Sequence, residues 1–201
     1  MSNIKESRAF LVGLYLFDDV EVLDFAGPFE VLSVTLDGGG HKPFDVRIVS
    51  EHGGVVNARH GLKVQADYSF ADAPDFDILI VPGGLGARQE MYREPVLSWV
   101  REQAGKVELL TSVCTGALIL ANAGLLDGKR ATTHWASLDR METEFPQVQV
   151  QRGVKFVDEG STVSSAGIAA GIHMAFHLVT RLIGVEAARQ TAKVMEYDIE
   201  L

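Results

Sequence analysis

The sequence has a single cysteine, no long apolar run and no concentration of basic residues. One cysteine in 201 residues excludes an internal disulfide and a cysteine-rich metal site. The chain carries 27 acidic residues against 18 basic ones, a net charge of −9, and no lysine- or arginine-rich stripe. Nucleic acid and anionic membrane surfaces are therefore not expected as partners.

The most apolar stretch near the N-terminus is too short to cross a bilayer. Basic residues precede it, as they do in a secretory signal, but acidic Asp18, Asp19 and Glu21 follow it instead of a small-residue cleavage site. We interpret Phe10–Phe17 as a buried first strand. This interpretation predicts a cytoplasmic protein without a membrane segment.

Strand-like and helix-like segments alternate along the chain, and 47% of the residues are hydrophobic. Near-continuous apolar runs are typical of parallel strands that are covered on both faces. The pattern predicts an α/β fold, a doubly wound and mostly parallel sheet flanked by helices in a flavodoxin-like sandwich. Because no repeat or linker interrupts it, we expect one domain over residues 1–201, with a disordered tail at 1–7.

Apolar periodicity and turn residues predict the individual elements. Gly27-Pro28 is expected to open the first helix, because proline is tolerated at an early helical position. The region from Gly53 to Tyr68 is expected to contain a hairpin. The predicted strands are Phe10–Phe17, Phe44–Ser50, Asp77–Val81, Val107–Thr111, Arg130–Thr133 and Thr162–Ser165, with a two-stranded ribbon at Val148–Gln151 and Val154–Val157. The predicted helices are Phe29–Leu36, Gln89–Gln103, Thr115–Ala123, Ser137–Phe145, Ile168–Ile183 and Val185–Met195.

The lone cysteine, Cys114, lies between a predicted strand and a predicted helix. An α/β protein displays a nucleophile on such a turn, the nucleophile elbow. The turn exposes the sulfur, and the N-terminus of the following helix favours the thiolate, so we expect a lowered pKa. The alternative is that Cys114 is a small buried core residue.

Three segments are expected to meet at the carboxyl ends of the strands, where ligands of such sheets bind. The backbone N–H groups of Thr115 and of Gly83 or Gly84 are predicted to form an oxyanion hole, because glycine permits close approach to substrate. Asp24, with a pKa raised by burial, is predicted to exchange a proton with Cys114. The alternatives are that Asp24 caps a helix and that the glycines form an ordinary turn.

The histidines offer further candidates. His134 lies 20 residues after the cysteine and is a candidate base for a Cys–His pair, the alternative being packing or capping near Trp135. His173 and His177 have the i, i+4 spacing of zinc ligands, but no glutamate lies between them and their neighbours are apolar. We therefore expect a core helix there, and neither a metal nor a cofactor.

Seven segments carry a recognisable pattern, and they are Val22–Val31, Val81–Gly86, Ser112–Ala117, Ala123–Gly128, Ala131–Trp135, Ser164–Ile168 and Met195–Asp198. Together these segments resemble the ThiJ/PfpI superfamily, which has the class I glutamine amidotransferase-like fold. Asp24 and the sequence Cys114-Thr115-Gly116 resemble the isonitrile hydratase branch, whereas the peptidase and glyoxalase-like branches place histidine beside the cysteine or glutamate opposite it.

The resemblance implies a small-molecule substrate and hydration of an isonitrile to an N-substituted formamide. The Cys114 thiolate would attack the terminal carbon while protonated Asp24 donates to it. Water would then attack the thioimidate with Asp24 as base, and Thr115 would supply a donor. A homodimer is also implied.

Two other functions are open. One is a glyoxalase- or deglycase-like reaction on 2-oxoaldehydes with His134 as base, and the other is a non-catalytic redox or small-molecule sensor in which Cys114 is oxidised. The pattern Ser112–Ala117 is also similar to sensor domains of AraC-type regulators, which continue into a helix-turn-helix domain of about 100 residues. Because the chain ends at Leu201, we do not expect a DNA-binding function.

Overall fold

The centre of the structure is a seven-stranded sheet. The computed structural model describes residues 8–201, so the tail predicted at 1–7 lies outside the described part. The strands of this sheet are β1 (Phe10–Tyr15), β2 (Phe44–Ser50), β5 (Tyr68–Ser69), β6 (Ile78–Val81), β7 (Leu109–Val113), β10 (Phe156–Asp158) and β11 (Thr162–Ser165). Their spatial order is β10-β11-β7-β6-β1-β2-β5. The pairs are parallel except that β10 runs antiparallel to β11.

Helices cover the sheet, and two small strand pairs lie beside it. The helices are α1 (Val22–Val34), α2 (Ala87–Glu90), α3 (Glu94–Ala104), α4 (Gly116–Asn122), α5 (Leu138–Glu144), α6 (Ala170–Leu182) and α7 (Val185–Val194). The small pairs are antiparallel β3 (Val55–Asn57) with β4 (Lys63–Gln65) and parallel β8 (Arg130–Ala131) with β9 (Gln149–Val150). Within residues 8–201, no helix has the length and apolar character needed to cross a membrane. The predicted α/β fold with a mostly parallel sheet is confirmed.

The register of the central strands determines which turns become neighbours. Strands β6 and β7 are buried along their whole length. Val81 at the end of β6 lies opposite Ser112, and Val113 at the end of β7 lies opposite Ser165 of β11. Because the three strands are parallel and end together, the turns that follow them meet at one edge of the sheet.

The first helix differs from the prediction. Helix α1 begins at Val22 instead of Phe29 and contains Pro28, which cannot donate to the Asp24 carbonyl one turn earlier. Tertiary packing explains the longer helix, since α1 crosses α6 so closely that a Cβ at Gly27 would lie 2.7 Å from Ile172 Cγ1. Asp24 is therefore in the first turn of a helix and not in a loop.

Two further predictions of secondary structure were wrong. The stretch predicted as one helix at Gln89–Gln103 is two helices, because Pro95 lies in the first turn of α3, where it has no N–H with which to continue the helix from α2. The predicted ribbon does not form, since β9 pairs with β8 and β10 pairs with β11. Alternation predicts a strand but not its partner. The hairpin after Gly53 is present as β3–β4, and the other predicted elements end within two residues of their predicted bounds.

Candidate active site

Cys114 occupies a strained turn between β7 and α4. Its φ of +57° is in the left-handed region, which residues other than glycine rarely adopt. The Cys114 N–H donates to the Ser165 carbonyl at 3.1 Å, and its carbonyl accepts from Thr133 Oγ1 at 2.7 Å. A Cβ at Gly116 would collide with the Val81 carbonyl oxygen, so glycine allows α4 to begin against β6. The predicted strand-turn-helix geometry at the cysteine is confirmed.

Asp24 is fully buried beside the thiol. Its Oδ2 accepts a hydrogen bond from the Gly83 N–H at 3.0 Å, whereas the buried Oδ1 has no partner of ordinary geometry in the described part of the chain. Burial raises the pKa of Asp24 from 3.8 to about 7, although hydrogen bonds from Gly83 and Cys114 act in the opposite direction. The predicted increase of this pKa is present, and its cause is desolvation.

The thiol itself departs from the prediction of a lowered pKa. Cys114 is only 6% exposed, and burial, followed by the charge of Asp24, raises its pKa to about 12. The backbone N–H groups of Thr115 and Ile168 act in the opposite direction. Desolvation and a facing carboxylate therefore outweigh the N-terminus of the short helix α4, and the resting group is a thiol.

The glycine turn after β6 is close to the thiol, but its N–H groups are already occupied. Gly83 donates to Asp24, and Gly84 donates to Thr115 Oγ1 at 3.0 Å. The Thr115 hydroxyl in turn donates to the Gly84 carbonyl at 3.2 Å. The expected oxyanion donors Gly83 and Gly84 are therefore not free in this structure. The turn instead positions Asp24 and Thr115, and a Cβ at Gly83 would lie 2.5 Å from Thr115 N.

Ile168 is a site residue to which the sequence assigned no role. Its φ of +49° is an outlier for a β-branched residue, and its N–H acts on both Cys114 and Asp24. Such strain is found at functional sites, where the surrounding structure maintains it. The only sign of this role in the sequence is the preceding glycine, Gly167. In the structure a Cβ at Gly167 would collide with the His134 ring.

His134 lines the cavity next to the thiol but is not hydrogen-bonded to Cys114 among the described residues. Its Nδ1 accepts a hydrogen bond from the Ala136 N–H at 3.3 Å, and its ring lies 5.5 Å from that of Trp135. A neutral imidazole whose Nδ1 accepts carries its proton on Nε2. The structure thus brings His134 to the site without forming the predicted Cys–His pair.

An open cavity of about 160 Å³ leads to the thiol; we call it the thiol cavity. Its volume is below the roughly 300–1,000 Å³ of sites for drug-sized ligands, so it fits a small substrate. Larger cavities lie elsewhere, near Tyr15 and near His177. The thiol cavity is lined by Glu21, Arg59, Gly84, Leu85, Arg88, Cys114, Thr115, His134, Ala136, Ser137 and Ile168.

The two histidines with zinc-like spacing are engaged with other side chains. His173 Nε2 lies 2.7 Å from Lys155 Nζ, and His177 Nε2 lies 2.7 Å from Asp158 Oδ2. Within residues 8–201, His, Cys, Asp and Glu side chains form no group of three that could hold a metal ion.

A mostly parallel α/β sheet with a cysteine on a strained strand-to-helix turn, a buried carboxyl group and a small open cavity defines an α/β protein with a candidate active site at the carboxyl ends of its strands. The model of the DJ-1/PfpI family matches residues 11–181. The chain therefore belongs to the DJ-1/PfpI family, as its resemblance to the ThiJ/PfpI superfamily predicted.

Relatives in this family have different functions. The chain is 38% identical over 189 residues to isonitrile hydratase of Pseudomonas putida, covering 94% of this chain and 79% of the relative. It is 32% identical to the HTH-type transcriptional regulator GbdR of Pseudomonas aeruginosa, covering 93% of this chain but only 50% of the regulator. It is 30% identical to a deglycase of Pyrococcus horikoshii, covering 74% of this chain and 83% of that protein.

Solved structures agree with this assignment. The crystal structure of a ThiJ/PfpI family protein from Pseudomonas syringae superimposes with a TM-score of 0.85 at 25% identity, covering 96% of this chain and 77% of the other. Because its relatives include a hydratase, a deglycase and a regulator, membership of the family does not by itself define one activity.

Proposed function

We propose that this protein is a cysteine-dependent enzyme that hydrates a small isonitrile to the N-substituted formamide. One observation carries the proposal: a buried thiol faces a buried carboxyl group whose pKa is about 7. Such a carboxyl group is present in both protonation states near neutral pH, so it can accept a proton and return it. The terminal isonitrile carbon needs both a nucleophile and a proton, and this pair supplies both.

The first half of the reaction starts from the thiol and the carboxylate. Asp24 takes the proton of Cys114 as sulfur bonds to the terminal carbon, and then returns this proton to the same carbon. One C–S bond and one C–H bond form, giving a thioimidate. The Thr115 and Ile168 N–H groups, which lower the pKa of the thiol, stabilise the developing charge on sulfur.

The second half consumes one water molecule. Asp24, again a carboxylate, takes one proton from water as the water oxygen bonds to the thioimidate carbon, and it passes this proton to the imidate nitrogen. The C–S bond then breaks as the proton that remains on the hydroxyl group is transferred to sulfur through Asp24, and the formamide leaves. Each cycle adds one water to the isonitrile and restores the starting pair, with no change of oxidation state in the protein.

The structure offers less support for the alternatives. A reaction on 2-oxoaldehydes requires His134 as base, but the Ala136 N–H occupies its Nδ1 and leaves the proton on Nε2. A redox sensor requires a readily ionised thiol, because the thiolate is the form that oxidises, and burial raises the pKa of Cys114. The hydratase mechanism needs neither His134 as a base nor a thiol that is ionised at rest.

Formamide production from small isonitriles, measured by NMR, tests the proposal. We expect turnover by the native sequence. The rate should fall by at least about 1,000-fold in Cys114→Ala, which lacks the nucleophile, and in Asp24→Asn, which lacks the proton carrier. Asp127→Asn, at an exposed carboxyl group, is the matched control and retains its activity.

Full activity in either site variant would remove the assigned role. Lactate formed from methylglyoxal in a His134-dependent manner would favour the 2-oxoaldehyde reaction instead. Oxidation of Cys114 by mild peroxide, seen by mass spectrometry together with absent turnover, would favour the sensor.

A further inference from the structure

The entrance of the thiol cavity differs in charge from the rest of the protein. The chain has a net charge of −9, yet the charged side chains that line this cavity are Arg59, Arg88 and Glu21. Arg59 NH1 forms a salt bridge of 2.8 Å with Glu21 Oε2. This pair is neutral overall, so the positive charge that remains at the entrance belongs to Arg88.

Among residues 8–201, Arg88 has no acidic partner, in contrast to the other arginines. Each of the ten other arginines forms a salt bridge with an aspartate or glutamate. Arg88 makes no salt bridge and no side-chain hydrogen bond with any residue in the range 8–201. In a strongly acidic protein, the guanidinium of Arg88 on the lining of the thiol cavity is therefore available for an anionic ligand.

The backbone that carries Arg88 is held firmly. Helix α2 starts against the loop after β1, since a Cβ at Gly86 would lie 2.9 Å from the Phe17 ring and would collide with the Asp18 carbonyl. The same cavity is lined by two apolar side chains, Leu85 and Ile168, which are 53% and 37% exposed. The lining therefore combines a buried thiol, apolar surface and an exposed cation.

We propose that the substrate of this site is an isonitrile that carries a carboxylate, and that Arg88 determines this specificity by binding the carboxylate. The inference rests on the hydratase function proposed above and adds the chemical class of the substrate. The guanidinium donates two parallel hydrogen bonds to the carboxylate. This contact orients the isonitrile carbon toward Cys114, while a short apolar linker lies against Leu85 and Ile168.

A pair of substrates tests the inference: isocyanoacetate, which is anionic, and its neutral methyl ester. We expect a higher kcat/KM for the carboxylate in the native sequence. In Arg88→Gln, the carboxylate-to-ester ratio of kcat/KM falls by about 10- to 100-fold, and Arg88→Lys retains part of the preference because it keeps the charge without the planar fork. Arg189→Gln, at an exposed arginine paired with Glu186, is the matched control and keeps the native ratio.

The outcomes separate the inference from the hydratase proposal. If the native protein turns over both substrates with equal kcat/KM, or with a higher kcat/KM for the ester, the carboxylate specificity is overturned while the hydratase proposal stands. A carboxylate preference that survives in Arg88→Gln would overturn the role of Arg88. Absence of turnover with both substrates would overturn the hydratase.

Product binding provides a second measurement that does not need turnover. N-formylglycine, the product expected from isocyanoacetate, should raise the Tm of the native protein and of Arg189→Gln but not of Arg88→Gln. N-propylformamide, which lacks the carboxylate, should show no dependence on Arg88. Equal shifts by N-formylglycine in the native protein and in Arg88→Gln would contradict the inference directly.

Discussion

Two cavities lie at the carboxyl edge of the sheet, and the acidic side chains near them have different partners. The Tyr15 cavity, of about 270 Å³, is lined by residues that include Tyr15, Ser50, Glu51, Glu90 and Arg93. There the Tyr15 hydroxyl donates to Glu90 at 2.7 Å, and Arg93 lies 2.5 Å from Glu51 and 3.2 Å from Glu90. The acids of this cavity are paired with a cation, whereas Asp24, buried beside the Cys114 thiol, has no cation paired with it among residues 8–201.

We interpret this difference as one between a structural network and the reactive pair proposed above. An acid that is paired with arginine and hydrogen-bonded stabilises one arrangement of the chain. A buried acid with one unpartnered oxygen keeps a pKa near 7 and a free-energy cost in the folded state. The position of the proton on Asp24 is therefore sensitive to a molecule that enters the thiol cavity.

The largest expected effect is on turnover and distinguishes the two acids. Asp24→Asn should lower kcat/KM for isonitrile hydration by at least about 1,000-fold, whereas Glu90→Gln should change it by less than about threefold, because only Asp24 exchanges a proton with the thiol. Steady-state kinetics of formamide formation measure both. If Glu90→Gln loses as much activity as Asp24→Asn, the proposed difference in role between the two acids is wrong.

The pH dependence of the rate gives a second expectation for the same carboxyl group. The first step of the proposed reaction needs the carboxylate form of Asp24, and the pKa of this group is about 7. Native kcat/KM should therefore be constant above pH 7 and fall as pH decreases below it, by about tenfold per unit. A profile that stays flat between pH 5 and 8 would show that Asp24 does not carry the proton.

Removal of the carboxylate should change the unfolding free energy in opposite directions at Asp24 and at Glu90. The pKa of Asp24 is raised from 3.8 to about 7 on folding, so the folded state binds its proton more tightly and the unfolding free energy falls as pH rises through this window. The cost is complete above pH 7 and amounts to something on the order of 4 kcal/mol. Asp24→Asn cannot ionise and should stabilise the fold by up to this amount at pH 8, but not at pH 4.

Urea denaturation at the two pH values measures this effect. Asp127→Asn serves as the control, and Glu90→Gln should destabilise the protein because Arg93 loses its salt bridge to residue 90 and Tyr15 loses a carboxylate acceptor. An Asp24→Asn variant that is no more stable than the native protein at pH 8 would contradict the proposed cost of burying this carboxylate.

A smaller effect is expected from the glycine turn. Gly83→Ala places a methyl group 2.5 Å from Thr115 N, so the backbone must shift and the Gly83–Asp24 hydrogen bond lengthens. We expect a loss of about 1–3 kcal/mol in unfolding free energy, together with lower turnover. Gly38→Ala is the control, because a Cβ there meets no atom within 4 Å. Equal stability and activity in the two variants would argue against a positioning role for Gly83.

The smallest expected effect lies in the Tyr15 cavity. Tyr15→Phe removes the hydrogen bond to Glu90 but leaves Glu90 paired with Arg93. The variant should lose about 0.5–1.5 kcal/mol of unfolding free energy, the net contribution of a typical intramolecular hydrogen bond, while hydration activity stays at the native level. Loss of turnover in Tyr15→Phe would show that the two cavities are coupled.

Much of the fold followed from local patterns, and the exceptions have identifiable causes. Buried parallel strands were predicted because their apolar runs are continuous, and turn residues placed their ends within two residues. The start of α1 was missed because proline usually opens a helix, whereas contact with α6 extends this helix back to Val22. The pairing of β9 and β10 was missed because alternation carries no information about the partner strand.

The sequence by itself determined that Cys114, Asp24 and the Gly83 turn would meet, because parallel strands bring the turns after them to one edge of the sheet. The tertiary structure alone decided that the thiol is protonated and that the N–H groups of Gly83 and Gly84 already have hydrogen-bond acceptors. It also decided the strained backbone of Ile168 and the absence of a salt bridge to Arg88 within residues 8–201. These properties depend on burial and on partners far away along the chain. Solvent exclusion and hydrogen-bond occupancy exist only once the chain has folded.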